Sequence, residues 1–95
     1  VNKAVGISEN AENINLSAFP NPADYYVNLT ASSLEVGNWK LGVADIAGKE
    51  VMLEMVYSGG GEFSKTIDVS ALNPGVYFIR LINKQTVYTV KFVKM

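Results

Sequence analysis

The stretch Val76-Tyr77-Phe78-Ile79-Arg80-Leu81-Ile82 decides the fold class, because it is almost continuously apolar and rich in residues that favour strands. Such a run predicts a central β-strand that is covered on both faces. Asn83-Lys84-Gln85 can close a hairpin into the segment 86–94, where alternate residues face opposite sides. The two sets are Val87, Thr89, Lys91 and Val93 on one face and Tyr88, Val90 and Phe92 on the other.

Five further strand patterns precede this pair. Apolar residues recur with a period of two in most of them, as expected of half-buried strands. The predicted strands lie at about 14–18, 25–29, 39–43, 50–57 and 63–67. About seven short strands without an amphipathic helix predict an all-β fold, an antiparallel β-sandwich. We expect Trp39, Leu41, Val43, Val76, Phe78 and Leu81 in the core and its immediate layers.

Turn residues separate the strands. Phe19-Pro20-Asn21-Pro22 ends the first strand, because proline cannot donate to a β ladder. Asp45-Ile46-Ala47-Gly48 suits a hairpin corner, and Pro74-Gly75 resembles the centre of a type II turn. We therefore expect positive φ at Gly48 and Gly75.

The chain divides into a short leading segment and one folded unit. Residues 1–13 are small and polar and have no period, which is typical of a linker from an upstream domain. Residues 14–95 carry all the strand patterns and are predicted to form the single domain. The chain begins at Val1 without a methionine, so we interpret it as part of a longer protein.

Composition excludes several functional classes. The formal net charge is −1, so no nucleic-acid footprint is predicted. No apolar run of about 18 residues occurs, and direct membrane insertion is not expected. The end of the chain is locally basic, because no acidic residue follows Asp68. The basic residues there are Arg80, Lys84, Lys91 and Lys94.

The sequence offers little for catalysis. Histidine and cysteine are both absent, which leaves carboxylates, lysines and hydroxyls. Asp45 and Asp68 occupy turns, where aspartate usually caps backbone N–H groups. We therefore predict no enzyme activity, no metal and no cofactor.

Aromatic residues are the remaining candidates for ligand binding. A sugar-binding platform would require several of them on one exposed face, whereas packing within the sandwich is the expected role. Tyr25-Tyr26 is an exception, since adjacent strand residues point to opposite faces. The set is Trp39, Tyr25, Tyr26, Tyr57, Tyr77 and Tyr88.

Four short motifs, in this order and at these spacings, resemble the type A C-terminal sorting domain of the type IX secretion system. The resemblance covers about residues 14–95. The matching segments are Phe19-Pro20-Asn21-Pro22-Ala23, Asp45-Ile46-Ala47-Gly48-Lys49-Glu50-Val51, Leu72-Asn73-Pro74-Gly75-Val76-Tyr77-Phe78 and Lys91-Phe92-Val93-Lys94-Met95. Within them the family's motif and turn positions fall on Pro20, Asn21, Pro22, Asp45, Gly48, Lys49, Gly75 and Tyr77.

The resemblance implies an immunoglobulin-like domain that directs an upstream cargo across the outer membrane of a Gram-negative bacterium. The cargo would pass through the periplasm and then be secreted or reach the cell surface. By the same resemblance, the translocon would recognise Lys91, Phe92, Val93, Lys94 and Met95. A sortase-like cysteine protease would then remove the domain by cutting within residues 1–13.

Two alternatives share the fold class. One is a carbohydrate-binding or fibronectin-like module of an extracellular enzyme, which can sit anywhere in its parent, whereas a sorting domain must end it. The other is a structural spacer, in which the basic terminus would have no role.

Overall fold

Seven β-strands and no helix form within residues 14–84 and 86–95, the part of the chain that the computed structural model describes. The strands are β1 (Ser17–Phe19), β2 (Tyr26–Ala31), β3 (Gly37–Asp45), β4 (Glu50–Ser58), β5 (Phe63–Asp68), β6 (Gly75–Ile82) and β7 (Val87–Lys94). The all-β prediction is therefore confirmed. The proposed linker, residues 1–13, lies outside the described residues.

The strands form two antiparallel sheets. One has three strands in the order β1-β2-β5, and the other has four in the order β4-β3-β6-β7. β6 lies between β3 and β7, which confirms its predicted interior position. Two packed antiparallel sheets of seven strands are consistent with an immunoglobulin-like sandwich.

The core lies between the sheets and is built by inward-facing alternate residues. Trp39, Leu41 and Val43 of β3 and Leu81 of β6 are all buried there, as predicted. From the three-stranded sheet they meet Val27, Leu29 and Ile67. The predicted two faces of β7 are also correct: Tyr88 and Phe92 are buried in the core, while Lys91 is exposed.

The prediction that β6 is covered on both faces is wrong. Burial alternates along the strand, and Val76 and Phe78 are only half-buried on the side away from the core. A two-layer sandwich covers one face of each sheet, so the outer side of β6 has no layer above it. The apolar outer residues of this strand are therefore left without the cover that the sequence pattern indicates.

The first strand starts later than predicted. Ile14 lies in a turn before β1, and Asn15 has a positive φ of 48°. The backbone oxygen of Ile14 still accepts a 2.7 Å hydrogen bond from the Ser32 N–H, and its side chain is buried. Ile14 therefore belongs to the core although it lies outside β1.

Both predicted glycines have positive φ, 91° at Gly48 and 157° at Gly75. At Gly75 the backbone is already the extended start of β6 and not the third residue of a type II turn, where φ is about +80°. The turn prediction for Pro74-Gly75 is therefore wrong, whereas the corner at Gly48 is confirmed.

Candidate functional site

The four motifs meet at one end of the sandwich. Strand register places Asp45, at the end of β3, opposite Tyr77 in β6. Gly75, at the start of β6, lies opposite Lys94 at the end of β7. Ala23 in turn forms a parallel bridge with Lys94. Segments that are far apart in sequence thus form one continuous row across this end, which we call the motif end.

The proline-rich segment clamps the last strand. Asn21 Oδ1 accepts a 2.9 Å hydrogen bond from the Val93 N–H. The Ala23 N–H donates to the Val93 oxygen at 2.7 Å, and the Met95 N–H donates to the Ala23 oxygen at 2.9 Å. These bonds use backbone groups on the outer edge of β7, because its other edge pairs with β6. The clamp therefore occupies the terminal part of an edge that would otherwise be open to another strand.

The structure divides the predicted recognition segment into exposed and buried residues. Lys91 and Met95 are exposed, and Val93 is half-buried on the outer side of the sheet. Phe92 is fully buried, and Lys94 is only 9% exposed. The ammonium of Lys94 donates a 3.1 Å hydrogen bond to the backbone oxygen of Met95. Phe92 and Lys94 thus contribute to the packing of the motif end and offer little surface.

The β3–β4 hairpin is organised by the Asp45 carboxylate. Asp45 Oδ1 accepts hydrogen bonds from the Ala47 N–H at 3.0 Å and the Lys49 N–H at 2.9 Å. The Gly48 N–H donates to the backbone oxygen of Asp45 at 2.9 Å. The predicted capping role of Asp45 is confirmed, and the side chain of Lys49 is left exposed beside it.

Tyr77 ties the loop before β6 to the core. Its hydroxyl donates a 2.6 Å hydrogen bond to the backbone oxygen of Asn73, and its ring stacks on Phe92 with centroids 5.6 Å apart. A buried tyrosine that bonds back to the preceding loop resembles the tyrosine corner of immunoglobulin-like folds. Tyr77 therefore links the third motif to the terminal strand.

Asp68 also caps a turn, as predicted. Its Oδ1 accepts hydrogen bonds from the Ser70 hydroxyl at 2.7 Å and the Ser70 N–H at 2.9 Å. These two bonds hold the pKa of the Asp68 carboxyl below its usual value, because they stabilise the ionised form. Residues 14–84 and 86–95 contain no group of three or more acidic residues that could hold a metal ion. Nor does that part of the chain form a helix long and apolar enough to cross a membrane.

The aromatic residues do not share one exposed face. Trp39, Tyr77 and Tyr88 are buried, and Trp39 stacks on Tyr88 with centroids 5.6 Å apart. Tyr26 is exposed on the three-stranded sheet, whereas Tyr57 is exposed on the four-stranded one. The expected packing role is confirmed for the three buried rings, and a platform built from all six is excluded.

The sequence prediction does not single out Ala23 as a site residue. It is completely buried, and it provides two of the backbone bonds that hold β7. Only the small size of its side chain, directly after Pro22, could have suggested a tightly packed position. Its pairing with a strand about seventy residues later has no local signal.

Fold and site together define a small antiparallel β-sandwich whose last strand is held by the loop after its first strand. The family model described as the secretion system C-terminal sorting domain matches residues 17–95. The chain belongs to this family of type IX sorting domains, which is not a family of enzymes. Membership implies involvement with the type IX system and a protein that is secreted or exported to the cell surface. A search of the curated proteins gave no match.

Proposed function

We propose that this domain is the export signal of a cargo that precedes it in the same chain, and that the type IX translocon recognises its motif end. The cargo reaches the periplasm by another route before this step. One observation carries the proposal: all four family motifs lie at the same end of the sandwich, joined by the register of β3, β6 and β7 and by the Ala23–Lys94 bridge.

Recognition of a folded end explains the burial of the terminal residues. Lys91, Val93 and Met95 supply the accessible side chains, while Phe92 and Lys94 hold the strand in place. A strand that is already ordered loses less conformational entropy on binding than a free peptide would. The charge of Lys91 is screened over about 8–10 Å in physiological salt, so it guides and orients the partner more than it holds it.

We further propose that a sortase-like cysteine protease separates the domain from the cargo within residues 1–13. This segment precedes β1 and the first core residue, Ile14. Cleavage there would leave every strand of the sandwich intact. The cut is tested by mass spectrometry of the exported cargo, which should end at a residue between 1 and 13. A cargo that retains residues beyond Ile14 would contradict this step.

Recognition is tested with a reporter fused upstream of Val1 in a type IX-competent bacterium. Lys91→Gln should lower the exported fraction without changing the melting temperature, since surface substitutions usually shift stability by less than about 0.5 kcal/mol. Lys84→Gln is the matched control, because Lys84 is an exposed lysine in the β6–β7 turn at the opposite end. Equal export of the two variants and the unmodified fusion would show that the translocon does not recognise Lys91.

Deletion of Lys91–Met95 is a harsher version of the same test. The fusion should accumulate in the periplasm, but the deletion also removes Phe92 from the core and the partners of Asn21 and Ala23. Its effect therefore combines loss of recognition with loss of stability. Lys91→Gln is the variant that separates the two.

A further inference from the structure

The outer face of the four-stranded sheet is apolar. On the edge strand β4, Leu53 is 55%, Met55 65% and Tyr57 67% exposed, and all three point away from the core. Apolar residues continue across the sheet on the same side, where they are half-buried between their neighbours; these are Phe78, Ile82 and Val87. An outer face that gathers exposed apolar side chains, interspersed here with Lys40 and Arg80, marks an interaction surface. We call it the outer sheet face.

The outer side of the three-stranded sheet is polar. Its central positions carry hydroxyl and amide side chains that bond to one another: Ser17 to Thr30 at 2.9 Å and Thr66 to Asn28 at 2.7 Å. Each sheet has one face in the core and one outer face. The sandwich geometry therefore does not explain why one outer face is polar and the other carries apolar side chains. The strand β6, whose apolar pattern is typical of coverage on both sides, belongs to the apolar sheet.

The outer sheet face is also positively charged. Lys40 lies between Met55 and Ile82, and Arg80 and Lys91 follow on β6 and β7. Among the described residues, none of these three cations has an ion-pair partner. Within the described strands of this sheet, one carboxylate stands on this face: Glu50, whose Oε2 lies 2.9 Å from the position that a Cβ on Gly42 would take. The face therefore complements a surface that combines apolar side chains with carboxylates.

We propose that the outer sheet face docks onto an apolar, carboxylate-bearing protein surface of the export machinery. This inference rests on the proposed function and extends it, because Lys91 and Val93 of the terminal segment belong to the same face. A second copy of the chain fits poorly, since it would bring cations against cations.

The size of the face suits a reversible contact. Four strands of about eight residues cover roughly 19 by 27 Å, or ~500 Å² per partner, from the usual strand spacing and rise. Interfaces of about this area belong to weak and transient complexes. Reversible docking is what a signal requires if it must be released after each export event.

The test uses reporter fusions of the full chain and two matched pairs of variants. Lys40→Glu reverses a charge on the outer sheet face, and Lys84→Glu reverses an exposed lysine in the β6–β7 turn. Tyr57→Ser removes an exposed ring from this face, and Tyr26→Ser removes one from the other sheet. We expect Lys40→Glu and Tyr57→Ser to lower export about tenfold, the change that ~1.4 kcal/mol of lost binding produces. The two control variants should be exported like the unmodified fusion, and all four should keep its melting temperature.

The result that overturns the inference is export of Lys40→Glu and Tyr57→Ser at the level of their controls while the unmodified fusion is exported normally. If the unmodified fusion itself is not exported, the proposed function fails instead. Two further measurements on the chain Val1–Met95 test the other occupants. Sedimentation with phosphatidylglycerol vesicles that Lys40→Glu abolishes would assign the face to lipid, and a dimer in ultracentrifugation that Tyr57→Ser dissociates would assign it to a second copy.

Discussion

The side-chain oxygen of Asn21 accepts a hydrogen bond from the backbone N–H of Val93, 2.9 Å away and 72 residues later in the chain. This bond joins the loop after the first strand to the last strand. With the two backbone bonds of Ala23, it makes the position of the C-terminal segment depend on the N-terminal part of the sandwich. A partner that binds the motif end therefore binds a surface that exists only when the whole domain is folded.

Asn21→Ala should destabilise the domain by about 0.5–1.5 kcal/mol, the usual net contribution of one hydrogen bond. Asn38→Ala is the control, because Asn38 is exposed on β3 and its side chain makes no hydrogen bond to another described residue. Denaturant unfolding measures both. Equal midpoints for the two variants would show that the clamp contributes nothing to stability.

Phe92→Ala should cost about 3–5 kcal/mol in the free energy of unfolding, because the ring is fully buried and stacks on Tyr77. The adjacent variant Val93→Ala changes the half-buried outer side and should cost about 1 kcal/mol or less. Urea denaturation compares the two. A small effect of Phe92→Ala would mean that the end of β7 is not packed as described.

Gly48→Val should destabilise by about 1–2 kcal/mol, because a φ of 91° is unfavourable for a residue with a Cβ. No atom lies within 4 Å of the added Cβ, so the cost arises from the backbone alone. Gly59→Val is the matched control, since that site is equally open and Gly59 is not among the positive-φ glycines. Similar melting temperatures for the two variants would refute the argument.

Alkaline pH should destabilise the domain through Tyr88. Burial of the side chain, together with the negative charge of Glu35, raises the pKa of Tyr88 above its usual value of 10.0. A raised folded-state pKa gives stability that is fully present below about pH 10 and is lost as the pH rises through the folded-state pKa. We expect the melting temperature, measured from pH 8 to 12 in about one-unit steps, to fall less steeply at the alkaline end for Tyr88→Phe than for the unmodified domain. A slope for Tyr88→Phe identical to that of the unmodified domain would contradict the assignment.

Local patterns were sufficient to predict the strands, but not the way in which they meet. Alternation along β7 correctly separated Phe92 from Lys91, because side-chain direction in a strand follows directly from the backbone period. The apolar run in β6 correctly gave an interior strand, but its outer face is open because the sandwich supplies only one covering layer. Sequence alone does not reveal whether a second layer comes from the same chain or from a partner.

The candidate site was predictable only as separate motifs. Asp45 and Gly48 have local turn chemistry, so their roles follow from the sequence. The bridge between Ala23 and Lys94 is a long-range contact that depends on the packing of both sheets. Burial of Lys94 has the same origin, and a lysine near a chain end gives no sign of it in the sequence.

The most direct test of the central claim measures the exported fraction of a reporter fused upstream of Val1, in a type IX-competent strain and in the same strain without the translocon. Cell fractionation and surface labelling give the fraction outside the outer membrane. Our account predicts that the reporter reaches the medium or cell surface only in the competent strain and accumulates in the periplasm of the other. Equal distribution in the two strains, with the domain folded in both, would contradict the assignment of this domain as the export signal.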